Sequence, residues 1–545
     1  MNNFSWPIDG SIVGLYIIVT MAAGIAVRKY VGKVEQFLIA GREMNLYLGI
    51  ASLAATEFGI VTCMYTAQSG FEKGFAGAVP GLLQATAMFL IGYTGFCVKP
   101  LRDAGVMTIP ELFQLRYGTG IRWLAGVVIV LGGLLNMGVF LRMGGEFLIN
   151  ATGMNAPAVQ AQATPQTEAA QSAPANDETA TPSAAAPAPQ GFFQTYKLEI
   201  MMTALLLAVG IYTVLGGMLS VLVTDFLQFI VMSLGLIAVT VLILYSIGWA
   251  SLVNTVETHY GAGGFNPFAN SSMGWSFIIF NAFVNTAATL TWQTTIQRLL
   301  AAKDTDTGRR VYTRTSFFFV CRWLIPVMWG VAALAVFAPT SVDLATHTFV
   351  AGGQTHSTLH AMPLFLGTFV PVGLTGILIA AMLAADMSTD SSYMLTWASV
   401  IYNDILAPFR KKNWSEKRGL MVSRCLVAGI GVFLLFFGLW YPLKGDLWSY
   451  LTVTGTIYLA SMSTLLIACC YWKGANNWGA AAAIVLGAIF PISVLVLEQS
   501  SNEAISAFAK ANGNILGICA YLAAGTAMVF GSLLKNAIAP KGANA

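Results

Sequence analysis

The sequence predicts an all-α membrane protein of about 13 transmembrane helices. Three observations carry that prediction. Hydrophobic residues make up 56% of the 545-residue chain and charged residues only 10%, a balance foreign to soluble domains of this size. Apolar segments long enough to cross a bilayer recur along the chain. The basic residues are strongly asymmetric about those segments.

The apolar segments fall at roughly 8–27, 45–69, 76–98, 121–150, 196–217, 220–247, 274–297, 315–337, 372–403, 420–440, 447–472, 479–497 and 515–534. Met1 to Gly10 holds no Lys or Arg before the first of them. That argues against a cleaved signal peptide and for a first helix that stays. Thirteen spans put the termini on opposite sides. With the N-terminus outside and the C-terminus cytoplasmic, 22 of the 28 Lys and Arg lie on the inner side and 4 on the outer. The remaining two, Arg142 and Arg322, lie within spans. A multi-pass protein of a bacterial cytoplasmic membrane fits this pattern, and its first partner is the lipid bilayer.

The organisation is a single transmembrane domain with one interruption. Residues 1–151 carry helices one to four and 193–545 carry helices five to thirteen. Between them, 152–192 is rich in Ala, Pro and Gln, with almost no large apolar residue over 156–190; it reads as a disordered external loop. Thr108, followed by Pro110 and Glu111, reads as the cap of a short helix on the inner surface.

Span two holds Ala54-Ala55-Thr56-Glu57-Phe58-Gly59, a carboxylate beside a glycine in mid-membrane. That predicts a broken helix lining a cavity. Asp225 is a further carboxylate, about one turn into span six. Span seven, ending Trp292-Gln293-Thr294-Thr295, has no glycine or proline to mark a break. Span nine contains Ala385-Asp386-Met387-Ser388-Thr389-Asp390-Ser391-Ser392. At 100° per residue, Ala385, Ser388, Thr389 and Ser392 share one face. Small side chains and hydroxyl oxygens there suit a hard cation such as Na⁺. They suit an ordinary helix–helix contact equally well.

Several residues have a structural reading beside a functional one. Arg142 and Glu146, four apart, are spaced for an ion pair; Arg142 could otherwise recognise a substrate carboxylate. Arg322 is expected to snorkel to the inner surface. His356 and His360 are too few ligands for a metal site. The seven cysteines lack CxxC spacing and read as buried thiols. No basic patch suits nucleic acid, and no nucleophile–base pair or phosphate loop suggests an enzyme.

Taken together, Gly41-Arg42, Tyr212-Thr213, Gly216-Gly217, Thr224-Asp225, Gln297-Arg298-Leu299-Leu300-Ala301-Ala302-Lys303, Ala384-Ala385, Met387-Ser388-Thr389 and Asn403-Asp404-Ile405 resemble the sodium:solute symporter family over roughly residues 10–470. The resemblance implies a core of two inverted five-helix repeats, the leucine-transporter type, in spans two to six and seven to eleven. It implies a small-molecule substrate held between the broken first helices of the repeats, with Na⁺ as coupling ion. Carried over, the sodium ligands are the carbonyls of Ala55, Phe58 and Ala385 and the hydroxyls of Ser388 and Thr389. Members with a second sodium resemble this chain at Asp225, Ser388, Ser391 and Ser392. Glu57, Thr62, Asn285, Gln293 and Arg142 form the candidate substrate region. Thr62 and Gly81 stand where sugar-binding members carry Gln and Glu.

The expected function is therefore sodium-coupled symport of a small polar organic solute by alternating access. The alternatives are a sodium-permeable channel, which would need a selectivity-filter repeat, and a membrane sensor on the same core, which would need an appended signalling domain.

Overall fold

The computed structural model describes residues 3–154, 192–337, 342–410, 414–441 and 446–538. The expected external loop lies outside them. Helix covers each of the thirteen apolar segments among the described residues.

α1 spans Asp9–Ala26. The next apolar segment is two helices, α2 (Leu46–Glu57) and α3 (Ile60–Lys73). α4 is Val79–Thr94 and α5 the short Ile109–Tyr117. Thr108 Oγ1 accepts from the Glu111 amide at 3.3 Å, and the Glu111 carboxylate accepts from the Met107 amide at 2.7 Å, so the capped surface helix is present. Span four is α6 (Thr119–Met137) followed by α7 (Phe140–Ala151).

Spans five and six run on as α8 (Lys197–Ser246), with a break at Gly217, φ 54° and ψ −147°. That conformation is essentially closed to residues with a Cβ, and a Cβ there would also strike the carbonyl oxygen of Phe37.

Span seven is α9 (Gly274–Thr291) and α10 (Gln293–Ala301). It breaks at Trp292, φ −64° and ψ 116°, without glycine or proline. Sequence rules look for a residue that cannot continue a helix. Here tertiary contacts pull the residue out: the Trp292 indole donates to Tyr393 Oη at 2.8 Å and stacks on Tyr458 at 5.9 Å.

α11 is Thr305–Phe337. A three-stranded antiparallel meander follows, β1 (Val342–Asp343), β2 (Thr348–Ala351) and β3 (Gln354–Ser357), with Phe349 opposite His356. Then come α12 (Ala361–Phe369), α13 (Leu374–Val400), a wide helical turn over Ile401–Leu406, α14 (Glu416–Trp440), α15 (Leu447–Tyr471), α16 (Asn477–Glu498) and α17 (Glu503–Ile538).

α13 is the central element: from Leu378 to Val400 every residue is buried. It packs on α1, α2, α7, α8 and α14. Asp9, itself fully buried, accepts from the amides of Gly373 and Gly376, each at 2.7 Å. These amides belong to the first turn of α13, which has no side-chain cap of its own; the carboxylate of α1 supplies it.

Candidate functional site

The α2–α3 break sets the geometry. Phe58 leaves the helix at φ −108° and ψ 66°, and Gly59 restarts it extended, at φ −82° and ψ 168°. Gly59 is needed because α13 comes so close: a Cβ there would lie 2.6 Å from Thr389 Oγ1. Thr389 Oγ1 instead donates to the Thr56 carbonyl at 2.9 Å. Ser388, beside it, donates to Asp225 Oδ1 at 2.6 Å. Ala55 and Phe58 lie at the break, with the Phe58 amide 3.2 Å from the Ala55 carbonyl. Ala385 is buried about one turn before Ser388 on α13. The Ser388 and Thr389 hydroxyls therefore lie beside the break, but the Ala55 carbonyl still accepts from the Phe58 amide and Ser388 is engaged by Asp225. Oxygen donors of this kind suit a hard monovalent cation.

The second predicted group is only partly assembled as expected. Asp225 Oδ2 accepts from Ser52 at 2.5 Å and from Arg298 Nη2 at 3.2 Å. Arg298 also donates to Thr56 Oγ1 at 2.7 Å, to Ser52 Oγ at 3.1 Å and to Ser392 Oγ. Ser391 donates to the Ser388 carbonyl in its own helix at 3.1 Å. Arg298 thus corrects its placement among inner-loop charges: it is fully buried. Burying Asp225 and Arg298 costs several kcal/mol per ion, offset only because each meets the other and the hydroxyls around them.

A cavity adjoins the break. Glu57, Thr62 and Asn285 line it, as expected. Gln293 does not; it lies just past the Trp292 break, buried, with no hydrogen bond to its Nε2 among the described residues. Arg142 does not either. Its Nε is 2.7 Å from Glu146 Oε1 and its Nη1 donates to the Gly438 carbonyl at 3.0 Å. The structural ion pair is the reading that holds, because these two partners keep the side chain off the cavity. Glu146 Oε2 also meets His360 at 3.0 Å. Gly81 is covered by the Trp323 ring.

The cavity's charged wall was missed. Arg322 does not snorkel: its Nη1 lies 3.1 Å from Glu57 Oε2 and its Nη2 donates to Tyr65 Oη at 3.0 Å. Sequence depth did not signal this: about 10 Å into the apolar segment that starts at 315, Arg322 is within reach of the surface by length alone. Glu57 Oε1 accepts from Thr294 at 2.9 Å and Thr295 at 3.0 Å. The carboxylate thus bridges the two broken helices. Tyr65, Gln84, Trp292, Tyr393 and Trp448 complete the wall.

Asp386 and Asp390 stand off this face. Asp386 Oδ2 and both Asp390 oxygens are buried without a hydrogen-bond partner among the described residues, with Gly144 of α7 beside Asp386. Asp404 is held on the inner side by Arg122 at 2.8 Å and Thr108 at 2.9 Å. Among the described residues no group of three or more His, Cys, Asp or Glu could hold a metal, and the cysteines are free thiols.

Comparison with known proteins gives the same architecture. The model of the sodium:solute symporter family matches residues 37–161 and 192–487. The chain is 24% identical over 525 residues to sodium/glucose cotransporter 4 of Mus musculus, covering 90% of this chain and 69% of that one. It is 25% identical over 527 residues to the sodium/myo-inositol cotransporter of Mus musculus, covering 88% and 66%. Among solved structures, a Na⁺-coupled sialic acid symporter in its substrate-bound outward-open state superposes with a TM-score of 0.73 at 17% identity over 97% of both chains. That likeness establishes the leucine-transporter-type fold.

Proposed function

The chain belongs to the sodium:solute symporter family, and from that premise we propose how its residues couple sodium to solute. It is a sodium-coupled symporter working by alternating access, an integral multi-pass membrane protein and not an enzyme. The proposal is that Na⁺ sits at the α2–α3 break, held by the carbonyls of Ala55, Phe58 and Ala385 and the hydroxyls of Ser388 and Thr389. The solute, small and polar, occupies the cavity beside it.

One observation carries this reading. Thr56 and Thr389, joined by the 2.9 Å hydrogen bond, both line the cavity. The sodium cluster and the solute cavity therefore share one wall. Sodium bound there would fix the break in the geometry the solute needs, and the solute would in turn tighten sodium, since coupling between sites is reciprocal.

Asp225, Ser388, Ser391 and Ser392 would hold a second sodium only by sharing Asp225 with Arg298. The guanidinium already supplies the compensating charge, so our reading assigns one sodium per solute. The expected orientation has the N-terminus outside and the C-terminus in the cytoplasm of a bacterial cell, as the basic residues suggest.

Uptake by the purified protein in liposomes tests the whole scheme. An inward sodium gradient should drive solute accumulation, and potassium in its place should not. Uptake indifferent to sodium would refute it.

A further inference from the structure

We infer that the solute is a net-anionic carboxylate, received by Arg322 in the cavity; the inference rests on reading that cavity as the solute site. The first argument counts donors. Glu57 is largely spent, with Thr294 and Thr295 on Oε1 and Arg322 on Oε2. Arg322 is not. A guanidinium has five N–H donors, and its bonds are those to Glu57 and Tyr65. One N–H on each of Nη1 and Nη2 remains beyond those two bonds, and Arg322 lines the cavity. A buried, unspent donor on a cation is costly to leave unmet. The wall therefore asks for an acceptor, and a carboxylate matches the planar fork of a guanidinium best.

The second argument counts charge. The cavity wall's own ion pair, Glu57 with Arg322, cancels, and so does Asp225 with Arg298 behind it; Asp386 and Asp390, off this face, do not line the cavity. Sodium at the break adds one positive charge. A monoanionic solute makes the loaded site neutral. A neutral polyol leaves it at +1 and a cation at +2, each an uncompensated charge in a poorly solvated interior. Tyr65 and Trp448, whose rings lie 5.0 Å apart on the same wall, give the rest of the solute an apolar surface with a polar edge.

The test is sodium-dependent uptake by the full chain in liposomes. The probes are lactate, gluconate and benzoate, with glucose, myo-inositol and proline as the neutral and zwitterionic arms. At least one carboxylate should be accumulated with sodium and displaced by another carboxylate, while glucose and myo-inositol at equal concentration should not displace it. The double variant Glu57→Gln/Arg322→Gln keeps the wall neutral and so removes no partner from a buried charge. It should weaken carboxylate uptake by roughly 10- to 150-fold, the loss expected for a charged hydrogen bond. Sodium-driven uptake of glucose, myo-inositol or proline, unaffected by carboxylates, overturns the carboxylate assignment and leaves the symport reading standing. Sodium-driven uptake of no member overturns the cavity reading and this inference with it.

Discussion

Arg322 Nη1 lies 3.1 Å from Glu57 Oε2, joining α11 to the break between α2 and α3. Glu57 also accepts from Thr294 and Thr295 of α10. One carboxylate thus ties together both broken helices and the neighbouring span. Any rearrangement that moves the breaks apart must pull these bonds.

Thr389→Ala and Ser388→Ala should each lower apparent sodium affinity roughly 5- to 100-fold, the loss of one oxygen worth about 1–3 kcal/mol. Thr389→Ser keeps the hydroxyl and should restore most of it. The sodium dependence of uptake measures this directly, and an unchanged half-saturation in both Ala variants would remove these hydroxyls from the ion site.

Asp225→Asn should leave Arg298 buried without its counter-charge, a defect that typically costs about 3–5 kcal/mol. Thermal unfolding of the purified variant should shift down by several degrees. The number of sodium ions moved per solute, read from the zero-flux voltage at fixed gradients, should be one in the parent chain. A value of two would give Asp225 to a second ion.

His347, on the meander, should make that segment sensitive to pH. Its Nδ1 is 2.8 Å from Glu72 Oε1, which also accepts from Thr358 and Gln68. The hydrogen bond to Glu72 raises the imidazole above its ordinary value; burial opposes this, Glu72 and Asp446 add to it and Lys73 subtracts. A raised histidine stabilises fully below its unfolded value of about 6.5, and the contribution is lost as pH rises through the folded value. Protease resistance of the 342–357 segment should therefore fall as pH rises from 6 toward 9. In His347→Gln the fall should be absent.

Asp9→Ala should uncap α13 and cost about 0.5–2 kcal/mol. Asp9→Asn keeps an acceptor for the Gly373 and Gly376 amides and should cost less. Chemical unfolding in detergent would rank the two, and equal losses would show that charge rather than capping matters.

The sequence by itself determined the helices and one half of the site. Hydropathy located segments that are helical in the structure, because a bilayer demands about twenty apolar residues whatever packs beside them. Glu57 beside Gly59 announced the first break, and the Ser388–Thr389 face of α13 announced the hydroxyls that meet it, since helical spacing is a local property. What only the tertiary structure decided is where charges find partners. Arg298 and Arg322 were read as inner-side bases because sequence carries no record of which carboxylate lies opposite. Asp225 and Glu57 are 73 and 265 residues away from them. The break at Trp292 was invisible for the same reason. It is made by Tyr393 and Tyr458, on other helices, and not by any conformational restriction of the residue itself.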